Sequence, residues 1–346
     1  MKVSIAIGGA ASNVTYEEFL EQVDYVVEAE NMGVDTVWTA EAWGHDAVSP
    51  LGYLAGKTSR IKLGTGIIQV SARTPSMTAM TAITLAMLSE NRFILGLGAS
   101  GPQVVEGLQG RPFAQPLTRM RETVDIIRQA LAGEKLSYQG KHHQLPLPGG
   151  EGKALKLALP ANPDIPIYLA TLGPKTLEYT GAAADGWIGT SFTPEHADAH
   201  LDHIRKGAQA AGRSLADIDI QVGGTVAFGD EAKIIPRLKP AVAFTLGAMG
   251  SPKTNFYNAA YRRGGYDEVG REVQNLWVEG RREEAIARVP DEMVRQANLI
   301  GDEASVAARV RAYRDAGVTS LSVHPMAADM AGRLDVLGRV LDMAKG

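Results

Sequence analysis

The 346-residue chain contains no cysteine. That absence excludes disulfides, thiolate zinc sites, iron–sulfur clusters and thiol nucleophiles together. A cationic excess is also missing: 35 Lys plus Arg stand against 39 Asp plus Glu, for a net charge of −4. No broad positive field therefore draws the protein to nucleic acid or anionic lipid. No apolar run approaches a membrane span. Met1-Lys2-Val3-Ser4-Ile5-Ala6-Ile7-Gly8 enters an alternating strand pattern at once, leaving no space for the charged head, apolar stretch and cleavage site of an export signal. Nucleophile-elbow, P-loop and HExxH motifs are absent too. The expectation is a cytoplasmic protein with a small-molecule partner, and with neither a nucleic-acid nor a membrane partner. What is present is ordinary for a globular chain, 45% apolar and 21% charged residues, with length enough for one large core.

Apolar spacing and turn residues divide the chain into alternating strands and helices. Thr15-x-x-Glu18 forms a capping box ahead of Phe19, Val23, Val26 and Val27 on one helical face, and Gly33 closes that helix. Strands are expected at the N-terminus and at 35–40, 61–70, 93–97, 165–170, 186–190, 218–228 and 318–324, with helices between them. Two stretches break the rhythm. Residues 133–164 are irregular and rich in Gly and Pro, while 233–300 reads as helical with no strand signal. Eight strand–helix repeats, with matching joints at Gly33-Val34 and Gly317-Val318, predict a single α/β domain over 1–346: a (β/α)8 TIM barrel carrying those stretches as insertions. A doubly wound sheet is the competing architecture.

Active sites of such barrels lie at the C-terminal strand ends, which makes the candidate list short. After the second strand come Glu41, His45 and Asp46, able to hold a ring edge or move a proton, or else forming a solvated loop. Gly96-Leu97-Gly98-Ala99-Ser100-Gly101 matches a dinucleotide pattern letter by letter, but Pro102 and an irregular insertion replace the expected compact unit. A tight turn is the better reading, with small residues that let a phosphate or flat ring come close to the backbone. Ala170-Thr171-Leu172-Gly173 runs into a helix at Pro174, so its amides and the helix dipole make either an anion site, with Thr176 adding a hydroxyl, or an ordinary turn. His324 closes the last strand as an active-site group or a rim histidine. His196, His200 and His203 fit a solvated helical face better than a metal site, and His142-His143 fits a hairpin; no metal is expected. The insertion places Phe256, Tyr257, Tyr261, Tyr266 and Trp277 among Arg262, Arg263, Arg281 and Arg282, a composition suited to a lid or substrate wall, or to a helical surface excursion.

Val37-Trp38-Thr39-Ala40-Glu41-Ala42-Trp43-Gly44-His45-Asp46, Ile61-Lys62-Leu63-Gly64-Thr65-Gly66-Ile67, Ala72-Arg73-Thr74-Pro75 and Asn91-Arg92-Phe93-Ile94-Leu95-Gly96-Leu97-Gly98 resemble the bacterial luciferase-like monooxygenase superfamily. Ala183-Ala184-Asp185-Gly186-Trp187 extends the resemblance over nearly the whole chain. Leu97-Gly98-Ala99-Ser100-Gly101-Pro102-Gln103-Val104-Val105-Glu106-Gly107 looks like the branch assigned to coenzyme F420, similar to methylenetetrahydromethanopterin reductase. The resemblance implies a barrel holding a deazaflavin and passing hydride between its C5 and a carbonyl, alcohol or activated double bond. An FMN-dependent monooxygenase and an idle cofactor carrier are the alternatives. It further implies a non-prolyl cis peptide at Gly66-Ile67. The ring would be lined by Glu41, Gly66, Ile67, Ile68 and Gln69, and the ring edge and tail by Gly98, Ala99, Ser100, Ala170, Thr171, Leu172, Gly173 and Thr176. Glu41 or His45 would supply the proton, and a homodimer is expected. Sugar-phosphate dehydrogenases of this type carry a carboxylate after the fourth strand and a His beside the second-strand acid. Gly101 and Ala42 stand there instead, which argues against that substrate.

Overall fold

Each apolar segment with period-two spacing becomes a strand, and each with 3–4 spacing a helix, in a computed structural model that describes residues 1–9, 13–251 and 253–346. The strands are β1 (Lys2–Ile7), β2 (Thr36–Thr39), β3 (Lys62–Thr65), β4 (Ile68–Gln69), β5 (Phe93–Gly98), β6 (Tyr138–Gln139), β7 (Gln144–Leu145), β8 (Ile167–Ala170), β9 (Gly186–Ile188), β10 (Asp219–Phe228), β11 (Leu299–Gly301) and β12 (Ser320–Pro325). Strand order is β11-β10-β12-β1-β2-β3-β5-β8-β9, with β4 also on β5 and with β9 pairing back to β10. The eight long-range strands thereby close, and the fold is a (β/α)8 barrel. Among the described residues no helix is long and apolar enough to cross a membrane.

The chain packs as two compact units. The first holds Met1–Ala6, Leu20–Thr36 and Thr171–Gly346, the second Ile7–Phe19 and Val37–Ala170. In the second unit β3 and β4 run parallel to β5, with Leu63 opposite Phe93 and Ile68 opposite Leu97, and β5 runs parallel to β8, with Gly98 opposite Ala170. In the first unit β12 lies between β1 and β10, with Ser322 opposite both Ser4 and Gly223. Side-chain caps start several of the helices. The Thr15 N–H donates to the Glu18 carboxylate at 2.8 Å and the Glu18 N–H to the Thr15 hydroxyl at 3.3 Å, Thr74 accepts from the Met77 N–H to start the helix Pro75–Leu88, and Asp302 accepts from the Ser305 N–H.

Three expectations change, and the hairpin expected around His142-His143 is present. The 61–70 strand is two strands, interrupted at Gly66-Ile67, where the peptide bond is cis. The 133–164 stretch contains the hairpin β6–β7, pinned by the Glu122 carboxylate, which accepts the N–H groups of Lys141, His142 and His143 at 2.7–2.9 Å. The 233–300 insertion ends in β11, a three-residue strand added to the end of β10; it is too short to show any alternation in sequence. The histidine reading fails at His200, which is only 1% exposed and packs, with its ring tilted, against Trp187 and Phe192 at centroid distances of 5.3 and 5.9 Å. Its helix turns this imidazole into the core beside Leu201 and Ile204. His196 instead meets Thr193 and Tyr266, and His203 meets Glu178.

The insertion has a core of its own. Ile234, Ile235, Val242, Leu246, Val273 and Met293 are buried together with Ala227 and Ile300, and Tyr261, Tyr266 and Trp277 pack into or against them. Those three aromatics are spent on folding; Phe256 stays exposed.

Candidate active site

Glu41 follows the end of β2, and its side chain is 10% exposed. Its carboxylate accepts both terminal nitrogens of Arg73, the second at 2.9 Å. It also accepts the N–H of Gln69 at 3.2 Å and of Ala47 at 3.3 Å. Its own N–H donates to the Ile67 carbonyl, and its carbonyl accepts the Gln69 side-chain amide at 3.0 Å. Gln69 Oε1 in turn accepts from Gln109, whose Oε1 accepts the Ser71 hydroxyl at 2.6 Å. One carboxylate thus ties together the loop after β2, the β3–β4 step and the entry to the helix Pro75–Leu88. Arg73 and Gln109 carry no assignment in the sequence reading. Arg73 could have been found, because it stands one residue before the Thr74 cap at the end of the third strand segment.

That clamp holds a shelf. The Gly66 N–H donates to the Thr39 carbonyl at 2.6 Å, and the Ile67 side chain lies against Gly98, where a Cβ would stand 2.8 Å from Ile67 Cγ1. Gly66, Ile67, Ala99, Ser100 and Ala170 are partly accessible, whereas Gly98, Ile68 and Gln69 are buried. Ile68 and Gln69 therefore lie beneath the accessible surface of the shelf. The shelf is small-residue, apolar and uncharged, which suits a flat neutral ring. His45 lies on the exposed part of the same loop. Asp46 caps the helix Val48–Ala55 by accepting the N–H groups of Val48 and Ser49 at 2.8 Å; against desolvation, which would raise it, these bonds hold its carboxyl below the usual range.

In the first unit, Gly173 is the N-cap of the helix Pro174–Ala183 with no side chain capping it, so the amides of its first turn face outward. Thr176 donates to the Gly173 carbonyl at 2.8 Å. The Thr171 hydroxyl is shared with Thr180 at 2.7 Å, and its carbonyl accepts the Trp187 indole N–H at 2.9 Å. Leu172 and Gly173 are partly accessible, Thr171 is buried. Arg263, from the insertion, donates to the Leu172 carbonyl and to that of Ala259 at 3.1 Å. Burial lowers its pKa from the ordinary arginine value. A guanidinium beside a helix N-terminus suits an anionic ligand group. No local pattern in the insertion announces Arg263. His324 stands at the C-terminal end of β12, its Nε2 3.4 Å from the Ser322 hydroxyl. Its side chain is exposed, although the protein atoms around the ring still desolvate it enough to lower its pKa.

Comparison with known proteins bears on this geometry. The family model of the luciferase-like monooxygenases matches residues 1–320. Rv3520c of Mycobacterium tuberculosis, whose name provisionally assigns it as a coenzyme F420-dependent oxidoreductase, is 42% identical over 91% of this chain and 93% of its own. The 5,10-methylenetetrahydromethanopterin reductase of Methanolobus tindarius is 30% identical over 89% and 91%. Among solved structures, the coenzyme F420-dependent tetrahydromethanopterin reductase from Methanopyrus kandleri superposes with a TM-score of 0.79 over 97% of both chains, at 25% identity. With the model covering nearly its full length and relatives of this similarity, the chain belongs to the luciferase-like monooxygenase family.

Proposed function

We propose that this chain is a coenzyme F420-dependent oxidoreductase acting on a small carbonyl, alcohol or activated double bond. The observation that carries the reading is the uncharged shelf at Ile67 against Gly98, fixed from behind by the Glu41–Arg73 clamp. The names of the similar proteins support the same cofactor. When bound, a deazaflavin supplies a two-electron hydride centre at C5. Gly66, Ile67, Ala99, Ser100 and Ala170 would bear the ring, with Gly98, Ile68 and Gln69 contributing backbone. Thr171, Leu172, Gly173 and Thr176, joined by Arg263, would take the acidic tail. Glu41, whose carboxylate oxygens are filled by N–H donors, keeps the shelf rigid and has no free lone pair turned to a ligand. His45 stands on the exposed part of the same loop.

Titration of the purified protein with coenzyme F420 and, separately, with FMN tests the reading by fluorescence. Saturable quenching by the deazaflavin at low micromolar concentration, with none by FMN, is expected. Tight FMN binding with no deazaflavin binding would replace the reading by an FMN monooxygenase. Turnover of bound reduced cofactor with any small carbonyl separates an enzyme from an idle carrier.

We further propose a cytoplasmic homodimer. The helix Pro75–Leu88 carries no charged residue, yet Met77, Met87 and Leu88 are each about half exposed or more, and an apolar, charge-free face of this kind marks an association surface. Light scattering of Met87→Glu should show loss of the dimer; a monomeric wild type would refute it.

A further inference from the structure

We propose that residues 106–116 form a strap latched onto the shelf by Gln109, and that Gln109 is a positioning residue that keeps the bound ring in its seat. This rests on the deazaflavin reading above. Strap, latch and shelf all belong to the second compact unit. The latch follows from what each amide can do. A main-chain carbonyl only accepts, so the Gln69 side chain must turn its nitrogen to the Glu41 carbonyl, 3.0 Å away. Its Oε1 then faces the strap and takes its hydrogen bond from Gln109 Nε2. That leaves Gln109 Oε1 to accept the Ser71 hydroxyl at 2.6 Å. The donors run in one direction, from Ser71 through Gln109 and Gln69 to Glu41. Gln69 is only 2% exposed, so lifting Gln109 strands a buried acceptor. The Gln69 N–H is held by the Glu41 carboxylate at 3.2 Å, and the Glu41 N–H by the Ile67 carbonyl at 3.3 Å. A disturbance at Gln69 therefore reaches the Gly66-Ile67 step that bears the ring.

The strap is tied mainly to itself. The Leu108 and Gln109 N–H groups both donate to the Val104 carbonyl at 3.0 Å, and the Arg111 N–H returns to the Val105 carbonyl at 2.9 Å, past Gly110 at φ +62°. The Phe113 N–H donates to the Glu106 carboxylate at 3.0 Å. These partners lie in the strap or in the short helix Pro102–Val105 just before it. Gln109, Phe113 and Pro116 are partly buried and the other strap residues exposed, the profile of a segment that opens locally. Beneath it lies a cleft lined by Val70, Ser71 and Ala99 at the strand ends and by Val105, Phe113 and Arg119 opposite the strands. It holds about 210 Å³ of empty space including its mouth, of which about 10 Å³ admits a water. The latched strap thus leaves no room for a ligand group there. Ala99 belongs both to this cleft and to the shelf. Raising the strap widens the cleft at that edge of the shelf, and closing it retains the ring.

Stopped-flow binding of coenzyme F420 to wild type, Gln109→Met, Gln109→Glu and Ser71→Ala tests the inference. Gln109→Met fills the same space without either bond. It should raise the dissociation rate about tenfold, with the association rate within about twofold and Tm hardly moved. Gln109→Glu still accepts from Ser71 but has no hydrogen for Gln69, so it should match the Met variant at pH 7 and recover as acid restores a proton. Ser71→Ala leaves the Gln69 bond intact and should have the smaller effect. A further readout needs no cofactor: in the apoprotein, hydrogen exchange of peptides within 106–116 should quicken in Gln109→Met, with those of the helix Pro75–Leu88 unchanged. Failure of wild type to bind the deazaflavin sinks the underlying reading, while exchange still judges the latch. Unchanged exchange overturns the latch. A wild-type dissociation rate in the Met variant, a loss carried by the association rate, or a Glu variant as tight as wild type at pH 7 overturns the positioning role.

Discussion

A Cβ at Gly98 would stand 2.8 and 2.9 Å from the Ile67 side chain, so Gly98→Ala must push Ile67 off its seat while leaving the backbone allowed. The expected result is a loss of deazaflavin affinity of about tenfold or more with a small change in Tm; unchanged affinity would show that Ile67 bears no ring. Arg73 poses the opposite case. Its removal leaves the enclosed Glu41 carboxylate with only two main-chain donors, and Arg73→Met should cost about 3 kcal/mol in denaturant unfolding. Because the two residues act as one unit, the Glu41→Gln, Arg73→Met double variant should cost less than the sum of the single changes. Additive costs would mean that the pair is not coupled. Glu41 was legible in the sequence as a strand-end acid, but its partner was not. Arg73, Gln69 and Ala47 lie at different distances along the chain, and only folding decides which donors reach one carboxylate.

The helices Pro174–Ala183 and Asp198–Ala210 pack so closely that two glycines are obligatory: a Cβ at Gly207 would stand 1.7 Å from the Glu178 carbonyl, and one at Gly181 1.9 Å from that of Ile204. Both obstacles are backbone, which cannot rotate aside. Gly207→Ala should therefore cost about 3 kcal/mol or more, and it should also weaken deazaflavin binding by shifting the helix whose N-terminus is assigned to the tail. Destabilisation with unaltered affinity would separate packing from binding and remove that assignment. Elements of this kind were readable from caps and periodicity. Thr15 with Glu18, Thr74 and Asp302 act within four residues of their helices, so local sequence specifies them. β11 was not readable, because a three-residue strand exists only by virtue of the β10 edge beside it. Nor was the burial of His200, since its helical spacing is equally consistent with either side of the stripe.

Acid should destabilise the molecule through two buried groups. Desolvation drives the His200 pKa down to about 3, below its unfolded value of about 6.5. Between those values the unfolded chain binds the extra proton, so stability falls as pH falls, by up to about 1.4 kcal/mol per pH unit. For Glu122, desolvation raises the pKa but the three hairpin N–H groups outweigh it and hold it below the usual range. Its contribution is complete above the unfolded carboxyl pKa and is lost as pH drops through the folded one. Urea unfolding from pH 7 to pH 4 should show the decline, and His200→Phe should flatten its upper part; an identical slope in the variant would clear His200 of the effect. At this scale the sequence by itself determined the order of strands and helices, the closed α/β architecture and the family, because periodicity, caps and short motifs are local and repeat along the chain. Tertiary structure alone decided that the Glu41 carboxylate is a clamp, that Arg263 joins the turn at Leu172 and that Tyr261, Tyr266 and Trp277 pack into or against the insertion's own core. Each of these depends on which distant atoms are brought within a few ångströms, and spacing along a chain does not encode that distance.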